Sequence, residues 1–244
     1  MKCFCGRPAL ESGFCPYHDP NCVRDKACRR RLEFLPDCEK CNLPGGEVVD
    51  VSPRLRGARI YGPLAVQFVT GNVDLAEARG IDVYIHSVKG DVDLRGAKFR
   101  HVFINEVVGA VFLTGARLET AMLQSVKGDV NGDGIAAGGH VYAGGISGAV
   151  SLTDARIVGE ALIEEVRGEV RIRAEAYSIS LYRVKGDVAL ANSRVEGDIR
   201  IVESTGDRLD LSGVEIQGRV VILNSKFGGV RIDRADLFKK LVVL

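Results

Sequence analysis

The sequence predicts an all-β protein in which a small zinc-binding module precedes a long parallel β-solenoid. Three observations predict this architecture. Apolar-x-apolar triplets recur at nearly even intervals along most of the chain, all seven Cys lie between Cys3 and Cys41, and none of the seven Pro lies beyond Pro63. At 244 residues, with 46% hydrophobic and 27% charged side chains, the chain has a globular composition and enough length for a sizeable core.

The change in composition divides the chain into three segments. Residues 1–42 form a cysteine-rich zinc-binding module, residues 43–63 form a linker or N-terminal cap, and residues 64–244 form the solenoid. The absence of Pro from the solenoid is expected, because an inner strand needs each of its backbone N–H donors. The net charge of +1 excludes a strongly basic nucleic-acid coat and an acidic tail.

The cysteine-rich module carries eight candidate metal ligands in four pairs. The pairs are Cys3 and Cys5, Cys15 and His18, Cys22 and Cys28, and Cys38 and Cys41. Thiolates together with one imidazole suit Zn²⁺, and eight ligands complete two closed tetrahedral sites of the structural kind. Because so small a module has little core of its own, we expect the two zinc ions to supply folding energy.

The sequence leaves the assignment of ligands to the two zinc sites open. In the sequential arrangement, which we favour because each half then has one wide gap between two pairs, residues 3–18 hold one ion and residues 22–41 the other. In the cross-braced arrangement, alternate pairs share an ion. Disulfides are a weaker interpretation, because seven is an odd number of Cys and the chain begins without an apolar export signal.

The triplets of the solenoid segment predict very short strands with one buried face. They include Val73-x-Leu75, Val92-x-Leu94, Val102-x-Ile104, Val150-x-Leu152 and Val220-x-Ile222. A helix would need apolar residues at i, i+3, i+4 and i+7, whereas a period of two is that of a strand. Evenly spaced short strands indicate stacked coils that bury a continuous inward row. We expect the Gly-rich residues 131–145 to form a bulge or a loose coil.

Larger apolar residues follow a second spacing, a step of five positions, as in Leu94, Phe99 and Ile104. Four such steps predict a four-sided coil of about 20 residues, a length within the range of solenoid repeats. Small residues precede several of the large ones by two positions, as Ala97 precedes Phe99. Each side of the coil is therefore expected to bury one large and one small side chain.

Three motifs resemble those of pentapeptide-repeat proteins: Gly96-Ala97-Lys98-Phe99, Gly115-Ala116-Arg117-Leu118 and Arg234-Ala235-Asp236-Leu237. The resemblance covers residues 64–244 and implies a right-handed parallel β-helix of roughly nine coils. The sequence departs from the family pattern where a step is one position shorter or longer than five and where Val or Ile replaces a central Leu or Phe. Pentapeptide-repeat proteins often dimerise through their last coil, so the resemblance implies a homodimer formed by the C-terminal coil.

A second set of motifs resembles the rungs of bactofilins, which are polymer-forming β-helical cytoskeletal proteins. The motifs include Val88-Lys-Gly-Asp-Val92, Val126-Lys-Gly-Asp-Val130 and Val184-Lys-Gly-Asp-Val188. This resemblance implies a filament as the alternative to the homodimer. Both resemblances imply the same fold class, a β-solenoid.

No motif in the sequence indicates catalysis, so we expect no enzyme, no catalytic residues and no organic cofactor. The solenoid segment contains His86, His101 and His140. Neither the step from His86 to His101 nor the step from His101 to His140 is a whole number of coils of about 20 residues, so these side chains are not expected to stack. We interpret them as surface residues.

The expected function is that of a non-enzymatic scaffold or interaction protein. Its zinc module would recruit a protein partner, and its solenoid would act as a rigid, self-associating rod. One alternative is a nucleic-acid-associated zinc-finger factor, in which Arg29, Arg30 and Arg31 would contact phosphates, although a solvated helix face explains these residues better. The other is a bactofilin-like polymer. The chain lacks an apolar run of about 20 residues, so we expect no membrane span and a cytoplasmic location.

Overall fold

A computed structural model describes Arg7, residues 15–19, Cys22 and residues 35–244. Several residues of the sequence analysis lie outside the described part of the chain, namely Cys3, Cys5, Cys28, Arg29, Arg30 and Arg31. The described residues contain 23 strands and one short helix.

The strands are mostly short and are distributed evenly along the chain. Their bounds are β1 Asn42–Leu43, β2 Gly46–Val49, β3 Arg59–Ile60, β4 Leu64–Thr70, β5 Val73–Asp74, β6 Asp82–Lys89, β7 Val92–Asp93, β8 Lys98–Val108, β9 Val111–Phe112, β10 Arg117–Val126, β11 Val130–Asn131, β12 Ala136–Ala137, β13 Val141–Ile146, β14 Val150–Val166, β15 Val170–Tyr182, β16 Val188–Ala189, β17 Arg194–Val195, β18 Ile199–Val202, β19 Thr205–Asp210, β20 Glu215–Ile216, β21 Val220–Leu223, β22 Lys226–Arg231 and β23 Leu241–Val243. The helix, α1, is Ala235–Phe238.

The strand pairings confirm the predicted all-β parallel solenoid. One ladder of parallel pairs runs through eleven rungs, at Asp37, Arg54, Asp74, Asp93, Phe112, Asn131, Ser151, Arg171, Ala189, Asp210 and Arg231. The coil length varies only slightly, from its shortest at the step from Asp37 to Arg54 to its longest at steps such as that from Ala189 to Asp210. Nine rungs lie within residues 64–244, as expected, and two more precede them.

Residues 43–63, interpreted above as a linker or cap, lie in the first coils of the solenoid. Strand β1 pairs with β3 and strand β2 pairs with β4, in both cases in parallel. The prolines of this segment enter the ladder through their carbonyl groups alone. The carbonyl of Pro53 accepts the N–H of Asp74, and that of Pro63 accepts the N–H of Gly46. Proline is therefore tolerated in these coils, although it lacks an N–H donor.

The core is a single apolar column that the coils wind around. In a representative coil the buried side chains are Val92, Leu94, Ala97, Phe99, Val102, Ile104 and Val107, and the next coil begins at Val111. Their spacing alternates between two and three positions, which gives three five-residue units and a final four-residue unit. The predicted five-residue step is thus correct for three units of this coil. Because the fourth unit is shortened, Asp91 and Ala110, which are hydrogen-bonded across adjacent coils, lie 19 residues apart in the sequence, one fewer than expected.

Glycine makes the four-residue unit possible. The glycines of successive coils form a column in which a Cβ atom would overlap the carbonyl of the glycine one coil earlier, as shown by Gly109 above Gly90 and Gly186 above Gly168. The column contains Gly71, Gly90, Gly109, Gly128, Gly148, Gly168, Gly186 and Gly206. These include the glycines of the Val-Lys-Gly-Asp-Val motifs, so their role is to let adjacent coils approach closely.

A second turn recurs in almost every coil as a single residue in the left-handed backbone conformation. Its positions are Asp50, Phe68, Ser87, Glu106, Ser125, Gly145, Glu165, Arg183, Glu203 and Asn224, with φ between 48° and 65°. Only one of the ten is glycine, although this conformation costs other residues roughly 1–2 kcal/mol. The stacked coils on either side therefore impose the turn.

The Gly-rich residues 131–145 form a regular coil and not the expected bulge or loose coil. Strands β12 and β13 pair in parallel with β10 on one side and β14 on the other. Ile135, Ala137 and Val141 are buried in the core. The expectation was wrong because these glycines occupy turns and outward positions, where the coil does not need a side chain.

Candidate functional site

The second and fourth ligand pairs of the cysteine-rich module meet at the N-terminal end of the solenoid. The imidazole of His18 lies between two sulfur atoms, with Nδ1 3.0 Å from Sγ of Cys15 and Nε2 3.4 Å from Sγ of Cys41. The donor atoms of His18, Cys38 and Cys41 lie within 4.8 Å of one another, and the Sγ atoms of Cys38 and Cys41 lie within disulfide-bonding distance. All three sulfur atoms belong to buried residues.

The first coils of the solenoid hold Cys38 and Cys41 in place. The backbone N–H of Cys38 donates to the carbonyl of Arg54 at 3.1 Å, and that of Lys40 donates to the carbonyl of Arg56 at 2.8 Å. Lys40 adopts the left-handed conformation, with φ of 54°, which turns the chain tightly between the two cysteines. The Cys-x2-Cys segment is therefore itself a turn of the solenoid's first rung.

The Cys15–His18 segment is fastened to the same rung through Asn42. Both the backbone N–H and the side-chain Nδ2 of Asn42 donate to the carbonyl of Tyr17, at 2.7 and 2.8 Å. The hydroxyl of Tyr61 donates to Oδ1 of Asn42 at 3.1 Å. Asn42 is buried and its side chain is used as donor and acceptor, so this link is specific.

This ligand grouping fits a metal ion chemically. If Cys38 and Cys41 are reduced, three cysteine sulfurs and one imidazole, arranged as Cys-x2-His and Cys-x2-Cys, are the donor set of a closed structural zinc site. The grouping matches the cross-braced arrangement and not the sequential one that we favoured, since the sequential arrangement places these two pairs in different sites. Of the other four predicted ligands, Cys22 is buried, and Cys3, Cys5 and Cys28 lie outside the described residues.

A column of large apolar side chains runs along one outer face of the solenoid. Tyr84, Phe103, Met122 and Tyr142 occupy the same position in four successive coils. The rings of Tyr84 and Phe103 are stacked, with their centroids 5.0 Å apart. We call these four residues the aromatic column. Sequence analysis missed it, although the signal was present: each member is the middle residue of an apolar-x-apolar triplet.

The three solenoid histidines lie on the same face as the aromatic column. His101 pairs with Thr120, and Thr120 precedes Ala121, which pairs with the residue after His140. His101 and His140 therefore share one position two coils apart, contrary to our expectation. The error came from assuming coils of equal length. The step from His101 to Thr120 is 19 residues, one fewer than the step from Thr120 to His140, and the two steps together bring the histidines into line.

Each solenoid histidine has a polar neighbour on the adjacent coil. Nδ1 of His101 is 2.7 Å from the hydroxyl oxygen of Thr120, and Nδ1 of His86 is 3.2 Å from Nδ2 of Asn105. The backbone N–H of Glu160 donates to Nδ1 of His140 at 3.0 Å. These contacts tie neighbouring coils together on an open surface.

Tyr142, at the far end of the aromatic column, has a strongly raised pKa. Burial raises the pKa of its phenol to about 12, with a further contribution from the carboxylate of Glu164. The hydroxyl donates to Oε1 of Glu164 at 2.6 Å. The bond joins adjacent coils, so it fixes the ring against the surface of the solenoid.

The solenoid also matches a known family. The Toastrack DUF4097 family profile matches residues 54–234, about three quarters of the chain. The chain belongs to the Toastrack DUF4097 family. The Toastrack segment starts at the second rung of the ladder, Arg54, and stops just before α1. No curated protein and no solved structure matches the chain significantly.

The motifs that resemble bactofilin rungs fall inside the Toastrack segment, as do the two pentapeptide-like motifs at residues 96–99 and 115–118. The third pentapeptide-like motif, Arg234-Ala235-Asp236-Leu237, runs into the helix α1. Gly96 and Gly115 of the pentapeptide-like set adopt left-handed turns, with φ of 66°. The glycines of the bactofilin-like set belong to the stacked glycine column. Coil geometry explains the motifs of both sets that lie in the solenoid coils, and the family that the comparisons show is Toastrack.

The described residues contain no helix with the length and apolar character needed to cross a membrane. The helix α1 has four residues.

Proposed function

We propose that this Toastrack protein is a non-enzymatic scaffold, in which the solenoid is a rigid rod and the N-terminal module binds two structural zinc ions and recruits a protein partner. The observation that carries the proposal is the uninterrupted core. One apolar cluster extends from Cys38 to Leu237, so the metal-ligand segment and the whole solenoid form one packed body. A body with one continuous core holds its two ends at a fixed distance and orientation.

The proposed rod has a defined length. Eleven rungs at a strand spacing of about 4.8 Å give a solenoid of roughly 50 Å. Small-angle X-ray scattering of the full chain is expected to show an elongated particle. A compact spherical profile would contradict the rod.

The proposed zinc centre is supported by the convergence of Cys15, His18, Cys38 and Cys41. A Cys38–Cys41 disulfide would account for two sulfur atoms but not for the imidazole between Cys15 and Cys41. The remaining ligands, Cys3, Cys5, Cys22 and Cys28, would hold the second ion. Titration of denatured, chelator-treated protein with a thiol reagent is expected to count all seven Cys, whereas a disulfide would remove two from that count.

Two double variants test how the ligands are shared. If the module is cross-braced, Cys15 and Cys38 serve the same ion, so C15S/C38S retains one zinc per chain. Cys22 and Cys38 serve different ions, so C22S/C38S retains none. The sequential arrangement predicts the reverse result. Elemental analysis of purified protein makes the measurement.

A measurement on the unaltered chain covers the case in which both variants fail to fold. In protein loaded with ¹¹³Cd, one cadmium is expected to show scalar coupling to the β protons of Cys15, Cys38 and Cys41. Coupling of one cadmium to Cys5 and Cys15 but not to Cys38 would establish the sequential arrangement instead.

Partner recruitment by the zinc module predicts a specific loss of binding. A partner captured by the full chain, then purified and titrated, is expected to bind the C38S variant at least ten-fold more weakly. The matched control is Y84S/F103S, which alters the aromatic column and leaves the zinc ligands unchanged. Loss of binding in the control alone would place the partner on the solenoid face.

The absence of catalysis is part of the proposal and is supported by the open placement of His86, His101 and His140. A hydrolytic or transfer activity that disappears in an alanine variant of any of these histidines would overturn it. Cysteine thiols stay reduced in the cytosol and tend to form disulfides in oxidising compartments, so the proposal places the protein in the cytoplasm.

The proposed self-association would use the C-terminal end of the solenoid. Val230, Phe238 and Val243 in and near the last described coil are exposed, which supports contact with a second copy. Light scattering is expected to give the mass of a dimer, as the pentapeptide-repeat resemblance implies. Filaments in electron micrographs would favour the bactofilin-like alternative, and a monomer would remove self-association from the proposal.

A further inference from the structure

Four cations occupy one position in four successive coils of the solenoid. Arg59 pairs in parallel with Arg79, Arg79 with Lys98, and Lys98 with Arg117. Adjacent rungs of a parallel sheet are about 4.8 Å apart. The backbone positions of the four residues therefore lie on a nearly straight line roughly 14 Å long. All four residues are exposed. We call them the cationic column.

The positive charges of the cationic column are not neutralised by the described part of the protein. None of its four side chains forms an ion pair or a hydrogen bond with a described residue. Glu77 and Glu119, two positions away from Arg79 and Arg117, also form no ion pair with them. Like charges directly opposite one another destabilise a sheet, so this arrangement has an energetic cost that the fold does not offset.

The same position further along the solenoid is built differently. There Arg156, Glu175, Arg194 and Glu215 follow one another in register, with the charge alternating at each rung. Arg194 lies 3.3 Å from Glu175 and 3.0 Å from Glu215. The solenoid thus provides a carboxylate for each arginine in one half and none in the other.

We propose that the cationic column binds a linear phosphate polymer, either a single-stranded nucleic acid or an inorganic polyphosphate. Guanidinium groups match phosphate oxygens in a bidentate fashion, and three of the four cations are arginine. A straight row of unsatisfied cations suits a ligand whose negative charges also repeat along a line.

An acidic peptide suits the cationic column less well. Peptides that bind to sheets gain affinity from backbone hydrogen bonds at a free strand edge. The backbone of the cationic column is already paired: the N–H of Lys98 donates to Ala78, its carbonyl accepts from Gly80, and the N–H of Arg117 donates to Ala97. Recognition must therefore depend on charge carried by the ligand itself.

This inference goes beyond the proposed scaffold and does not depend on its zinc module. The test uses the full chain and two variants that each remove two positive charges. R79Q/K98Q alters the cationic column, and R156Q/R194Q alters the alternating half of the same position. Fluorescence anisotropy with a labelled single-stranded oligonucleotide is measured at several salt concentrations, with inorganic polyphosphate and poly-glutamate as competitors.

The R79Q/K98Q variant is expected to lose at least ten-fold in affinity, and its salt dependence should fall by about 1.4 in logarithmic slope, which corresponds to two lost phosphate contacts. The R156Q/R194Q variant is expected to bind like the unaltered chain. If polyphosphate displaces the labelled oligonucleotide, phosphate charge is sufficient for binding to the cationic column. If it does not, the site is specific for nucleic acid.

Three results would overturn the proposal. They are no binding by the unaltered chain at low salt, an equal loss in the two variants, and competition by poly-glutamate as effective as that by the phosphate polymers. Thermal unfolding shows whether a loss of binding results from misfolding. Because the substitutions remove two like charges, the melting temperature of R79Q/K98Q is expected to stay unchanged or to rise.

Discussion

Gly109 lies directly above the carbonyl oxygen of Gly90, so close that a Cβ atom at residue 109 would overlap that oxygen. The oxygen belongs to the backbone of a neighbouring coil and cannot move aside as a flexible side chain would. G109A is therefore expected to lower the free energy of unfolding by about 1–3 kcal/mol, the usual cost of overpacking. Chemical denaturation measures the loss.

The matched control for Gly109 is Gly229, where an added Cβ atom would meet nothing within 4 Å. G229A should change the stability by less than about 0.5 kcal/mol. An equal loss of unfolding free energy in G109A and G229A would mean that the backbone flexibility of glycine, and not the close approach of adjacent coils, explains the glycine column.

Ser125 and Gly145 occupy the same left-handed turn in adjacent coils, with φ of 57° and 65°. Glycine adopts this conformation without strain, whereas serine does not. S125G is expected to stabilise the protein by about 1 kcal/mol, and G145S to destabilise it by a similar amount. Thermal unfolding of both variants, compared with the unaltered chain, tests the prediction; shifts of the same sign would refute it.

We expect Asp93 to contribute to unfolding of the solenoid in strong acid. Burial alone would raise the pKa of its carboxyl group, but hydrogen bonds from Arg95 and the charges of Arg95 and Arg56 outweigh burial and hold the pKa below its usual value of 3.8. A carboxyl group with a lowered pKa in the folded state stabilises the fold above its unfolded pKa. That contribution is lost as the pH falls through the lowered value.

The Asp93 prediction is measured as the urea midpoint between pH 5 and pH 2. The D93N variant is expected to lose less stability over this range than the unaltered chain. In an R95Q background the same substitution should matter less, because Arg95 supplies the closest opposing charge. An identical pH profile in all variants would show that other carboxyl groups dominate acid unfolding.

Removing the proposed zinc ions should loosen only the N-terminal end. Each coil of a solenoid contacts its neighbours alone, so a disturbance at Cys38 and Cys41 weakens with distance along the rod. After chelation, hydrogen exchange is expected to rise in residues 35–60 and to stay unchanged beyond Val92. Protection lost along the entire solenoid would show that the metal centre stabilises the whole fold.

The fold was predictable because the inward residues of each coil are apolar and evenly spaced. Triplets such as Val92-x-Leu94 define strands, and the five-residue step from Leu94 to Phe99 and Ile104 defines most of the coil. The shortened unit at Gly109 was not predictable from spacing, since its cause is a contact with the preceding coil. An error of a single position in the coil length was enough to hide the alignment of His101 with His140.

The candidate sites depend on contacts that sequence order does not determine. The spacing predicted Cys15, His18, Cys38 and Cys41 as candidate ligands, but the rung that brings them together is built by Asn42 and Arg54, which carry no metal-binding signal. The members of the aromatic column carry a local signal, a large apolar residue in the middle of a triplet, but their alignment became visible only after the register was known. The cationic column has no local signal, because its members are separated by a whole coil of sequence and each resembles an ordinary surface residue.

The regular repeat of the coils makes the length of this protein adjustable in whole steps. Tandem duplication of one coil, for example residues 92–110, would preserve every inward position and every stacked glycine while adding one layer of about 4.8 Å. The distance between the two ends can therefore be altered by copying or deleting a single short stretch of the gene, without redesign of the interior.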